Sequence, residues 1–277
     1  MRLGAPLFTK PQDPAAWVAA IQAKGYRAAY CPVQPGADVA MIQAYRTAAA
    51  KNAIIIAEVG AWSNPLSPDP AVRQAAIEKC KACLDLADQI GARCCVNIAG
   101  SRGDKWDGPH PADLTEETFD LIVATVRDIL DTVQPSQSYY ALETMPWMYP
   151  DSVDNYVRLI KAIDRPRCAA HFDPVNLVNS PQLYFRSGDL IRDFVTKLGP
   201  HIRSCHVKDI RLDTRLTVHL DEVRPGLGGL DHAALLRAVQ PLDRDLPLML
   251  EHLPNENEYD LAAAHLRAVA QQEGIAL

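Results

Sequence analysis

Four residues in the second half of the chain have side chains suited to metal or proton chemistry: Glu143, Asp173, His206 and Glu251. Each stands at or near the C-terminal end of a short apolar run, residues 139–144, 168–173, 202–207 and 246–251. Two glutamates, an aspartate and a histidine make a mixed oxygen–nitrogen donor set. The set has no thiolate, which excludes a cysteine-rich structural zinc site. It suits Mn2+ first, with Mg2+, Co2+, Fe2+ or Zn2+ as alternatives. Four protein ligands on a cation that prefers six leave room for a chelating hydroxy-ketone or for water. Glu143 and Glu251 follow apolar residues directly, and an unpaired buried carboxylate is costly. They therefore need a counter-charge. The alternative to a metal is a network of salt bridges to Lys208, Arg186 and Arg211.

The elements that must position these groups alternate along the chain. Strands are expected at residues 2–8, 26–33, 53–59, 93–98, 139–144, 168–173, 202–207 and 246–251. Helices are expected at 14–24, 39–51, 70–90, 115–133, 152–163, 190–198, 231–239 and 259–272. Asp13, Asp69 and the run Thr115-Glu116-Glu117-Thr118 are helix starts, and Gly91 is a stop. Eight strand–helix units in 277 residues predict a single-domain (β/α)8 TIM barrel over residues 1–277. A doubly wound sheet is disfavoured, because residues 6–14 contain no glycine for a phosphate-binding first turn. In a barrel, active-site residues come from the C-terminal ends of strands. That rule alone selects the four residues above. Pro- and Gly-rich stretches at 62–70, 100–111 and 224–229 follow strands and are expected as loops at the barrel mouth.

A formal charge of -6 and a pI near 5.7 argue against nucleic acid as a partner. The seven cysteines are odd in number and mostly lie in apolar runs, which suits buried free thiols. Cys80-Lys81-Ala82-Cys83 falls within a helical pattern and has no second such pair, so it is not read as a zinc or redox motif. The amino terminus has no charged leader with a long apolar stretch. No segment approaches the ~20 apolar residues of a membrane span, and a cytoplasmic location is expected.

Other rim residues extend the site. Glu58 ends the third strand, where it either contacts substrate hydroxyls or tethers loop 62–70. Asn97 and Trp147 are expected substrate contacts. His171 is a substrate contact, a base, a partner beneath the site or a core histidine. Lys208 either polarises a substrate oxygen or, as the favoured reading, pairs with Asp209 or Glu251. Trp62, Trp106 and Trp147 lie in rim loops, where aromatic faces stack on sugar rings or pack a lid or interface. Arg186 and Arg211 could hold a phosphate, but no Gly-rich phosphate loop accompanies them. An unphosphorylated sugar or polyol is therefore preferred.

The segments 141–147 (ALETMPW), 171–181 (HFDPVNLVNSP), 205–209 (CHVKD), 219–231 (HLDEVRPGLGGLD) and 248–254 (LMLEHLP) carry a family resemblance. In combination the chain resembles the sugar phosphate isomerase/epimerase superfamily of xylose-isomerase-like barrels, which includes endonuclease IV. The resemblance implies that Glu143, Asp173, His206 and Glu251 bind one divalent metal ion. It also implies that Glu143 and Glu251 act as the acid/base pair of ketose 3-epimerases, and that homo-oligomers form. Two positions depart from that pattern. Asn176 stands where the epimerases carry a substrate-holding His, and Leu212 where they carry an Arg, with Arg211 beside it. Asn176 and Arg211 are the expected replacements in substrate binding, and the substrate is expected to differ. Too few histidines are present for the trinuclear zinc site of endonuclease IV.

The expected activity is isomerisation or epimerisation of a sugar or polyol through an enediolate. Elimination from a keto-sugar or keto-inositol is the alternative. A phosphodiester hydrolase and a non-catalytic sugar-binding barrel are weaker readings.

Overall fold

A computed structural model describes all 277 residues. The strands are β1 (Arg2–Gly4), β2 (Ala28–Ala29), β3 (Ile55–Ile56), β4 (Glu58–Gly60), β5 (Cys94–Asn97), β6 (Tyr140–Glu143), β7 (Cys168–Phe172), β8 (Ile202–Val207), β9 (Asp209–Leu212), β10 (Leu220–Val223) and β11 (Pro247–Leu250). The helices are α1 (Pro14–Ala23), α2 (Val39–Lys51), α3 (Pro70–Ile90), α4 (Glu116–Val133), α5 (Val153–Ile163), α6 (Pro174–Leu177), α7 (Pro181–Phe185), α8 (Ser187–Leu198), α9 (His232–Val239) and α10 (Glu256–Gln272).

Nine strands form one parallel sheet in the order β3-β2-β1-β11-β8-β7-β6-β5-β4. The ring closes through the third strand segment, which is interrupted at Ala57. On one side the amides of Ile55 and Ala57 donate to Arg27 and Ala29; on the other, the carbonyls of Ile56 and Ala57 accept from Arg93 and Cys94. The (β/α)8 barrel expected from the sequence is therefore the observed fold. No helix is long and apolar enough to cross a membrane.

Local chemistry explains the boundaries. Asp13, Asp38, Asp69, Thr115, Ser152, Asp231 and Asn255 each cap a helix by accepting a backbone amide. Gly91 ends α3 at φ +77, a conformation that glycine adopts without penalty. The main core lies between sheet and helices. A smaller set of Cys94, Val96, Ala141 and Ala169 packs together on the sheet. Strand alternation puts Ala141 on the face of Glu143 and Ala169 on the face of His171. The seven cysteines are free, and six of them are buried, including Cys80 and Cys83.

Several expectations need correction. Except for β8, the strands are shorter than the apolar runs, although flanking residues such as Arg27, Tyr139 and Arg167 still share backbone hydrogen bonds with the neighbouring strand. Helix α8 begins at Ser187 rather than at 190, and two short helices, α6 and α7, precede it. Residues 209–223 form an unexpected antiparallel hairpin, β9–β10, with Asp209 opposite Val223 and Leu212 opposite Leu220. Only Lys208 separates β9 from β8, so the barrel strand runs on into the hairpin.

Candidate metal and active site

The four strand-end residues converge. Glu143 closes β6, His206 lies in β8, and Asp173 and Glu251 follow the last residues of β7 and β11. One ligand-capable atom from each lies within 4.8 Å of the others. His206 Nδ1 is 2.9 Å from Glu143 Oε1 and 2.8 Å from Glu251 Oε1. Asp173 also caps α6, where its Oδ1 accepts the Val175 and Asn176 amides at 3.0 and 3.3 Å. That bond turns Oδ2 to the cluster, 2.8 Å from the Lys208 ammonium.

The electrostatics are those of crowded buried charge. Burial pushes all three carboxyls up. His206 reverses this for Glu143 and Glu251, whose carboxyls end below the ordinary range; Lys208 adds to the effect at Glu251. Burial wins at Asp173, together with the repulsion of Glu143 and Glu251, and its carboxyl is raised to about 6 despite the Lys208 pair. Burial opposes charge on His206 and Lys208, but the surrounding carboxylates hold both well above their usual values. Asp173 Oδ2 and Glu251 Oε1 are buried and make no hydrogen bond of acceptable geometry. Three carboxylates and one imidazole within 4.8 Å of one another, with oxygens in ion pairs but not in well-formed hydrogen bonds, fit a divalent cation that takes oxygen and nitrogen ligands.

Above the cluster opens a cleft of about 530 Å3, within the usual size of small-molecule sites. Glu143, Glu251, Lys208 and Asn176 supply polar wall, and Trp62, Trp106, Trp147 and Tyr30 supply aromatic wall. Asn176 donates to the Thr144 carbonyl at 3.0 Å and accepts from Lys208 at 3.0 Å. Trp147 is fixed by a 2.9 Å hydrogen bond from its Nε1 to the Asp107 carbonyl. Of the three Pro/Gly-rich stretches expected at the mouth, 62–70 and 100–111 line the cleft through Trp62, Trp106 and Asp107, and 224–229 does not.

Other expected site residues lie elsewhere. Arg211 is exposed on β9, opposite Asp221 of β10, and does not line the cleft. Arg186 pairs with Asp189 on the surface. Asn97 is buried, and its amide is spent on Ser63 and the Cys80 sulfur; it anchors the Trp62 loop rather than facing the cleft. Glu58 and His171 lie beneath His206, both fully buried and away from the cleft and from loop 62–70. Lys208 pairs with Asp173, Glu222 and Glu251. It does not pair with Asp209, which instead accepts the amides of Ile210, Gly226, Gly228 and Leu230 and so fixes the 226–230 turn. Gly228 is required there, since a Cβ would sit 2.2 Å from the Ile210 carbonyl oxygen.

Among the wall residues that sequence reading missed, three stand out. Glu222 arrives on β10, 3.3 Å from Lys208, from a hairpin that no barrel-strand rule anticipates. His252 follows Glu251 at φ +57, sparsely populated for a non-glycine residue, and stands 3.2 Å from Glu222. Tyr30 follows β2 and donates to the Leu250 carbonyl at 3.2 Å. The strand-end rule reaches Tyr30 only with the observed end of β2 at Ala29, because the strand expected from the sequence runs on to residue 33.

Residues 16–269 match a family model described as xylose isomerase-like TIM barrel. No curated protein sequence matches the chain. Among solved structures, D-psicose 3-epimerase from Clostridium cellulolyticum H10, solved with D-tagatose, superposes with TM-score 0.69 at 14% identity, covering 100% of both chains. A xylose isomerase-like TIM barrel protein from Mycobacterium smegmatis in complex with magnesium gives 0.68 at 15% identity over 98% of this chain and 95% of that one. The probable 3-DHS dehydratase AsbF from Bacillus anthracis, involved in petrobactin synthesis, gives 0.69 at 17% identity over 98% and 99%. At these identities the likeness is one of fold.

Proposed function

The chain belongs to the xylose isomerase-like TIM barrel family, and on that premise we propose that it is a divalent-metal-dependent isomerase or epimerase of an unphosphorylated sugar or sugar-like polyol. The observation that carries this reading is the meeting of Glu143, Asp173, His206 and Glu251 within 4.8 Å below an open cleft. These four would hold the cation, with Mn2+ the first choice. A bound divalent cation supplies positive charge that stabilises an enediolate.

The protein's own groups do the rest. One of Glu143 and Glu251 takes the proton alpha to the substrate carbonyl, and the other returns it. Return to the opposite face of the same carbon gives epimerisation; return to the neighbouring carbon, with a second proton shift from the hydroxyl oxygen to the former carbonyl oxygen, gives isomerisation. Lys208, held by Asp173 and Glu251, presents an ammonium to the substrate oxygens. The tryptophans supply flat faces for the apolar side of a sugar ring and narrow the access of water.

A second reading, elimination from a keto-sugar or keto-inositol, is favoured by the Asn176–Lys208 pair. It puts an amide and an ammonium in the cleft wall, where a departing hydroxyl needs a proton. The test is incubation of the Mn2+-loaded protein with keto-sugars and keto-inositols in deuterated water. Deuterium incorporated alpha to the carbonyl, with an isomer or epimer as product, supports the first reading. Loss of water supports the second. No exchange with any such substrate rejects both.

A further inference from the structure

Directly beneath the four-residue cluster lies a second polar group that the proposed chemistry leaves unused. Glu58 is 1% exposed, and His171, Ser204 and His206 are fully buried. Glu58 Oε1 accepts a 3.1 Å hydrogen bond from the Ser204 hydroxyl. Glu58 Oε2 faces two imidazoles, 3.3 Å from His171 Nε2 and 3.4 Å from His206 Nε2. The two rings meet edge to face with centroids 4.1 Å apart. At these distances none of the three atoms makes a hydrogen bond of acceptable geometry, with one another or with any other group, so each is left facing the others with its hydrogen-bonding capacity unspent. The register between β7 and β8 shifts between Ala170 and His171, which skips Arg203 and sets Ser204 opposite His171.

A carboxylate buried this deeply is costly unless it accepts hydrogen bonds, and the donors facing it are those two rings and one hydroxyl. His206 therefore looks two ways: Nδ1 toward Glu143 and Glu251, Nε2 toward Glu58. An imidazole that gives its Nδ1 lone pair to a cation carries its proton on Nε2, and that buried N–H needs an acceptor. We propose that Glu58 is a positioning residue that holds His206 as the Nε2–H tautomer with Nδ1 aimed at the cation site, and that His171 and Ser204 in turn fix the Glu58 carboxylate. The inference rests on the metal-dependent reading above.

The test reads binding and ring protonation rather than turnover. In protein labelled with 15N-histidine and loaded with Zn2+, the ring spectrum of His206 is expected to show a proton on Nε2 and none on Nδ1. Glu58→Gln is expected to lower the affinity for Zn2+ and Mn2+ by about 10–100-fold in chelator competition, and His171→Gln by a smaller factor. Should either variant fail to fold, the wild-type ring spectrum decides alone. A proton on Nδ1, or unchanged affinity in a folded Glu58→Gln variant, overturns the proposal while leaving the metal-dependent reading intact. Two cations per chain, with the second lost in Glu58→Gln, would also overturn it, by making Glu58, His171 and His206 a second metal site. A wild-type chain that binds no divalent cation rejects the metal-dependent reading and this inference together.

Discussion

The two ends of the barrel use charge in opposite ways. At the mouth, three carboxylates and a histidine crowd together, and Asp173 and Glu251 keep buried oxygens without hydrogen bonds. At the floor, a larger cavity of about 730 Å3 is lined by Arg93, Tyr139, Arg203 and Asp243, among others. There the arginines are paired or stacked. Arg203 donates to the Pro200 and Ile202 carbonyls and lies 4.0 Å over the Tyr139 ring, and Arg93 pairs with Asp243. Volume is thus the wrong guide to chemistry in this molecule. Buried polar atoms without hydrogen bonds occur at both ends, Arg93 Nε and Ser138 Oγ at the floor among them, and what distinguishes the mouth is three carboxylates crowded round one histidine, at the face where such barrels carry their active sites.

The sharpest way to break this comparison is Lys208→Met. It removes the main counter-charge of buried Asp173, and breaking a buried ion pair costs about 3–5 kcal/mol. Denaturant melts should show that loss in metal-free protein, and added Mn2+ should recover much of it, since a cation bound only by the folded state stabilises it by linkage. A loss that metal does not recover would mean the cluster is a structural salt-bridge network.

At the floor, Asp88 gives a smaller, pH-dependent effect. It accepts the amides of Ser136, Gln137 and Ser138. Burial pushes its carboxyl up, but those amides outweigh burial and hold it below the usual range. A lowered folded value means the contribution is complete above the unfolded value of about 3.9 and fades as pH falls through the folded one. Asp88→Ala should therefore cost about 1 kcal/mol at neutral pH, with the gap to wild type closing only below about pH 4. A gap that closes near pH 6 would contradict this assignment. Smallest of all is Arg93→Ala. Its partly exposed pair with Asp243 is worth about 0–1 kcal/mol, and calorimetry should find cation affinity unchanged.

The strand ends were legible because barrel strands alternate and end in residues their apolar neighbours cannot satisfy. Glu143, Asp173, His206 and Glu251 stand out for that reason, and Asp69 and Gly91 mark α3 for equally local ones. Arg211 and Glu222 were not legible. Both lie in the β9–β10 hairpin, whose register decides which side chain turns inward, and nothing local announces that hairpin. Asn97 and Glu58 were misplaced for another reason. A strand end identifies the rim, but not whether a side chain turns toward helix α3, as Asn97 does, or down beneath the cluster, as Glu58 does.

The central claim is that the mouth holds one divalent cation on those four side chains. Metal analysis of the purified chain, with calorimetric titration of Mn2+, Mg2+, Co2+, Fe2+ and Zn2+ into the wild type, His206→Ala and Glu251→Gln, tests it directly. The account predicts one cation per wild-type chain, lost in both variants while their circular dichroism is retained. A wild-type chain that binds none of these cations, or folded variants that bind as tightly as wild type, would contradict it.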